Sequence, residues 1–210
     1  MSQSAQDPEA TAFLVRLAAG DLDAAVGPAL EYEAELRRLF AQDRSNRRLS
    51  DPYVGLVDVF ACDPAVLDTQ SRPTTNDKEH IFPLKPSERR ASGTPALATS
   101  LAEFQRNWSI FTEGALSQLD WSNIVVAGGA VQACLAPLPE GADDSKKGLR
   151  KRFHESDAYA GSDIDLFLYG LDQAKAEKKI EHIFEAIRDA VPWDVTAVRT
   201  AHAVSIHYPL

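Results

Sequence analysis

A chain of 210 residues, 44% apolar and 25% charged, has the composition of an ordinary soluble globular protein with length for one generous domain or two small ones. A formal net charge of −9 argues against bulk binding to nucleic acid or to an anionic membrane surface. No apolar run approaches the roughly 20 residues of a membrane-spanning helix, so no membrane partner is expected. The start, Met1-Ser2-Gln3-Ser4-Ala5-Gln6-Asp7, lacks the basic and apolar regions of a signal peptide. Cys62 and Cys134 follow no metal-ligand spacing. A cytoplasmic or nuclear protein with reduced thiols is the expectation.

Asp7-Pro8 reads as a helix N-cap followed by proline at the first helical position. Phe13, Leu14, Leu17 and Ala18 then fall at helical spacing, and Gly20 ends that helix. A second helix is expected from about Pro28 to Phe40, with Glu33 and Arg37 paired at i,i+4. Arg44-Ser45-Asn46-Arg47-Arg48 is a basic patch, most simply a solvated loop, with a partner or nucleic-acid contact as the functional alternative. Tyr53 to Phe60 suits a strand or a short helix. Asp68 to Pro95 has no sustained period and reads as irregular chain. The expected division is therefore 1–95 and 96–210. No internal repeat, ankyrin-type or other, is visible.

Ser100 and Glu103 form a capping box. From there Leu101, Phe104, Trp108, Phe111, Ala115 and Leu119 predict one helix with an apolar face through Leu119. Ile124-Val125-Val126-Ala127 is β-rich and breaks at Gly128-Gly129, so it reads as a buried strand entering a tight turn. Ala130 to Leu135 suits a short helix that Pro137 stops. A strand, a double glycine and a helix start bring backbone N–H groups close to an anion such as a phosphate.

Ser162 to Gly170 alternates cleanly. Asp163, Asp165 and Phe167 share one strand face, and Ile164, Leu166 and Leu168 share the other. The two carboxylates then stand about 7 Å apart at the backbone. They repel unless a cation or solvent intervenes, and Mg²⁺ prefers such oxygens while sharing its shell with phosphates. A charged edge strand that discourages aggregation is the structural alternative. Between glycine turn and carboxylates, Lys146, Lys147, Arg150, Lys151 and Arg152 form a basic cluster in an insert expected to be flexible. They would neutralise a triphosphate or simply be solvated. Ala174 to Ala190 is the clearest helix, with Ile180, Ile183, Phe184, Ile187 and Val191 on its stripe and Pro192 as its stop. Asp194 to Val198 and Ala203 to Ile206 read as one kinked strand or two short ones.

Gly128-Gly129-Ala130-Val131 followed by Ser162-Asp163-Ile164-Asp165-Leu166 resembles the nucleotidyltransferase superfamily of the DNA polymerase β type. The turn looks most like the Gly-Gly-x-Val of CCA-adding enzymes and bacterial poly(A) polymerases. The region is also similar to an uncharacterised domain found near ankyrin repeats in fungal and large-virus proteins. The resemblance covers about the C-terminal half. It implies an α/β (α+β) fold, a small mixed sheet backed by helices, with the carboxylates on a central strand beside Ile124–Ala127. It also implies NTP and Mg²⁺ (or Mn²⁺) as ligands and transfer of NMP to a hydroxyl acceptor. Asp163 and Asp165 would be catalytic and hold two metals about 3.5–4 Å apart. Gly128 and Gly129 would let backbone approach the phosphates, and Ser162 would orient a carboxylate or touch a phosphate oxygen.

Two features depart from that pattern. The insert from Pro137 to Gly161 separates turn and carboxylates that usually lie close in sequence. The third carboxylate that the family places on a later strand has only Asp194 as a nearby candidate, a poor match. A degenerate domain that senses nucleotide or binds a protein partner, in a chain either naturally short or part of a longer one, is therefore the second expectation.

Overall fold

The computed structural model describes residues 8–51, 53–69, 89–159 and 161–209. The chain divides into two compact units, Met1–Ala96 and Leu97–Leu210.

In the first unit, α1 (Pro8–Ala18) packs against α2 (Leu22–Gln42). The proposed cap at Asp7 lies outside the described residues. The second helix begins earlier than expected. Asp21 caps it by accepting from the Ala24 N–H at 3.0 Å, so Pro28 lies inside the helix, not at its first turn. The basic patch folds back on its own helix. Arg44 lies over the Phe40 ring, while Arg48 lies over Tyr32 and pairs with Glu35 at 2.6 Å. Residues 53–60 form turns, neither strand nor helix. Most of the stretch expected to be irregular lies outside the described residues; its two ends meet, with Asp68 bridged antiparallel to Pro95.

The second unit starts with α3 (Leu101–Phe111). The Glu103 N–H donates to Ser100 Oγ at 3.1 Å, while Glu103 Oε2 accepts from both the N–H and the hydroxyl of Thr99 at 2.8 Å. The capping box is thus closed one residue earlier than the usual pattern. The helix ends at Phe111 and not at Leu119. Glu113 and Gly114 both take positive φ, 48° and 79°, which no helix accommodates. Ala115, Leu116 and Leu119 are still buried, delivered by turns.

Next come β1 (Ile124–Ala127), α4 (Gly129–Leu135), α5 (Lys146–Glu155), β2 (Asp165–Leu168), α6 (Gln173–Ala190), β3 (Thr196–Arg199) and β4 (Val204–His207). The fold is therefore mixed α and β. Among the described residues the strands form two separate antiparallel pairs, β1–β2 and β3–β4, where one mixed sheet was expected. The chain after α6 pairs with itself: Thr200 N–H donates to Ala203 O at 2.8 Å, closing a hairpin. Neither β2 nor β1 is a central strand.

Two apolar clusters hold the unit together. One joins Ile110 and Phe111 of α3, Ala130, Ala133 and Cys134 of α4, and Leu149 and Phe153 of α5. The Phe111 and Phe153 rings meet edge-on, centroids 5.5 Å apart, the favoured aromatic geometry. The other joins Leu116, Leu119, Ile124, Ile183 and Ile187, with Leu166, Leu168, Val195 and Ile206 packed against it. Ile164 touches both clusters, so the chain entering β2 is fixed from two sides.

Candidate functional site

The antiparallel register sets Ile124 opposite Leu168, Val125 opposite Phe167, Val126 opposite Leu166 and Ala127 opposite Asp165. Because β1 leads straight into Gly128-Gly129, this register lays the glycine turn beside the start of β2. Gly128 has φ +85° and ψ −159°, a region essentially reserved for glycine. A Cβ at Gly128 would lie 2.6 Å from Asp165 Oδ2 and 3.6 Å from its Cγ. Asp165 therefore occupies space that only glycine leaves open. A Cβ at Gly129 would lie 3.5 Å from Ser162 Oγ, ordinary contact.

Burial alternates from Gly161 to Leu168. Asp163, Asp165 and Phe167 are exposed, while Ser162, Ile164, Leu166 and Leu168 are partly buried. The paired strand begins at Asp165, so Asp163 lies two residues ahead of it, outside the paired segment. Ser162 belongs to the inward set; its N–H donates to Tyr159 O at 2.9 Å, and its hydroxyl faces Gly129. The structure thus sets Asp165 against Gly128 and Ser162 against Gly129, with Asp163 exposed two residues ahead of Asp165.

The turn is held by α4, whose start carries no side-chain cap and whose end is tied to the α3 region. Asn107, 2% exposed, donates from Nδ2 to Cys134 O at 3.0 Å, and Ala98 N–H donates to Leu135 O at 2.7 Å. These bonds satisfy carbonyls that a helix end leaves without intrahelical partners. The sequence signal for Asn107 was a polar residue one position from the apolar stripe of α3, too weak to single out.

The basic cluster is not in a flexible loop. Lys146 to Glu155 is a helix capped by Ser145, which accepts from the Gly148 N–H at 3.1 Å. It is anchored by Leu149 and Phe153, 1% and 2% exposed. Arg150 pairs with Glu113. Arg152 donates to Pro137 O at 3.3 Å and lies over the Tyr159 ring. Lys146 lines an open cavity of about 290 Å³ with Arg106, Ser109, Ile110, Asp144 and Leu149, which includes none of the site residues. None of the contacts that this cluster makes among the described residues is with Asp163 or Asp165.

Asp194 is exposed and precedes β3, which pairs with β4 and not with β2. Among the described residues, no group of three or more His, Cys, Asp and Glu side chains is arranged to hold a metal. Mg²⁺ is commonly held by only one or two carboxylates together with substrate phosphates, so a larger group is not required for it. No described helix is long and apolar enough to cross a membrane. Compared with known proteins, the chain matches no family model, no curated protein and no solved structure.

Proposed function

We propose that the second unit is a nucleotidyltransferase-like domain that binds a nucleoside triphosphate with Mg²⁺ at the Gly128-Gly129 turn and the Asp163-x-Asp165 segment. The observation that carries this reading is the register of Ala127 with Asp165, which brings a side-chain-free turn against a carboxylate on an open face. Asp163 and Asp165 would hold the cation. Bound there, it would neutralise triphosphate charge and favour attack by an acceptor hydroxyl on the α-phosphorus, with pyrophosphate leaving. Gly128 and Gly129 remove the side chains that would otherwise keep phosphate oxygens from the backbone.

A second reading, binding without transfer, is favoured by Asp194 lying ahead of β3, a strand that pairs with β4 and not with β2. Positioning the hydroxyl-activating ion is the step that a third carboxylate serves, and triphosphate binding does not depend on it.

Thermal unfolding with Mg²⁺ and each NTP tests the site, because a ligand bound to the native state raises the melting temperature. Asp163→Asn with Asp165→Asn should abolish the rise without unfolding the domain; an equal rise in the double variant removes these residues from the site. Incubation with α-labelled NTPs and protein or RNA acceptors separates the readings. Incorporation that needs both aspartates shows transfer, and binding without incorporation shows a nucleotide-binding module.

A further inference from the structure

The open face of β1–β2 is divided. At one end stand Asp163 and Asp165; at the other, the Phe167 ring is 57% exposed beside its cross-strand partner Val125, 49% exposed. Tyr169, 38% exposed, continues the same alternation, its N–H held by Asn123 O at 3.1 Å. Same-face neighbours on a strand are about 7 Å apart, so an aromatic surface begins one step from Asp165. Aromatic rings are ordinarily turned into a core, and the inward positions here are taken by Leu166 and Leu168.

We propose that Phe167, backed by Val125, is the stacking platform for the base of the nucleotide whose phosphates are held at Asp163 and Asp165. The inference rests on the site reading above. The two halves of the face match the two halves of a cation-bound nucleotide: carboxylates hold the phosphates through the ion, and an aromatic face accepts a base of any identity. The size of the patch favours this occupant over a protein. A stable interface takes about 800 Å² per partner, whereas one aromatic side chain buries about 150–250 Å², the scale of one stacked base. Stacking of this kind does not select among bases, so the platform serves all four nucleotides alike.

The test is calorimetric titration of the full chain with Mg²⁺ and ATP, GTP, CTP or UTP, and with Mg²⁺ and inorganic tripolyphosphate. Phe167→Ala should weaken each nucleotide about tenfold and leave tripolyphosphate unchanged, and Phe167→Trp should retain wild-type affinity. Nucleotide affinities unchanged in Phe167→Ala, with tripolyphosphate binding that still needs Asp163 and Asp165, would overturn the platform and leave the site standing. Equal losses for nucleotide and tripolyphosphate would also overturn it, assigning Phe167 a structural role. No binding of any probe by the wild type would remove the site and the platform with it. Sedimentation of both proteins covers the remaining occupant: a wild-type dimer that Phe167→Ala dissociates would place a second copy on this face and overturn the proposal.

Discussion

Lys179 Nζ lies 2.8 Å from Asp120 Oδ2, joining α6 to the turn that leads into β1. The ammonium is buried on the α6 stripe with Ile183 and Ile187, where sequence periodicity expects an apolar residue. Its three donors reach Asp120 O at 2.7 Å, the Asp120 carboxylate, and Ser122 Oγ at 3.2 Å. A buried lysine is tolerable when every donor is matched in this way.

Acid should weaken this tie. The Lys179 ammonium, then the Ser122 hydroxyl and N–H, hold the Asp120 carboxyl well below the usual carboxylate range. A carboxylate whose pKa is depressed by folding contributes stability in full above the unfolded value, about 3.9. That contribution is lost as pH falls below this value toward the depressed folded one. Urea unfolding of wild type and Asp120→Asn should show the wild type more stable at neutral pH, with the gap closing as pH drops below about 4. A gap that stays constant with pH would mean that the Asp120 charge contributes nothing.

The two glycines of the turn should respond unequally to alanine. Gly128→Ala meets both a forbidden φ and the Asp165 carboxylate, so it should destabilise by about 1–3 kcal/mol or displace Asp165. Gly129→Ala meets only ordinary contact at the first position of α4 and should leave stability within about 1 kcal/mol of wild type. Thermal unfolding of both variants decides it; equal losses would contradict the geometry.

If α5 is part of the core, emptying its anchor must be costly. Phe153→Ala removes a ring that is 2% exposed and should cost about 3–5 kcal/mol in chemical denaturation. Lys147→Ala and Lys151→Ala, on the exposed face of the same helix, should stay within about 0.5 kcal/mol. A mild Phe153→Ala would restore the picture of a loose insert.

The two thiols should separate kinetically. Burial pushes the Cys134 thiol up to about 12, so it stays protonated at neutral pH and closed to reagents. Cys62 is only partly buried, its thiol raised by desolvation and the Asp58 charge. A disulfide reagent should label Cys62 in the native protein and Cys134 only after unfolding; prompt labelling of both would show that the α4 core opens readily.

What sequence made legible were segments whose burial follows one period. The apolar run of β1, the alternation around Asp163 and Asp165, and the stripe of α6 each write their environment into every second or every third to fourth residue. α5 was hidden because Leu149 and Phe153, one turn apart, are outnumbered by five cations that say nothing about backbone. The sequence makes α3 look longer than it is because Ala115 and Leu119 keep helical spacing after the chain has left the helix at Glu113 and Gly114. The start of α2 is ambiguous in sequence because Pro28 suits a first turn, while Asp21 supplies the actual cap. The β3–β4 hairpin is itself a local pairing closed at Thr200 and Ala203; what no local pattern encodes is that β3 pairs with β4 and not with β2.

At seven residues, α4 is about 10 Å long, and no linker intervenes between its first residue and Gly128. Its far end is clamped by Asn107 of α3 and by Ala98, while its near end abuts Asp165. A short rod held at one end by α3 and touching a carboxylate at the other ties the position of that carboxylate's neighbour to α3. The close approach of Gly128 and Asp165 therefore rests on packing made by a helix that supplies neither residue.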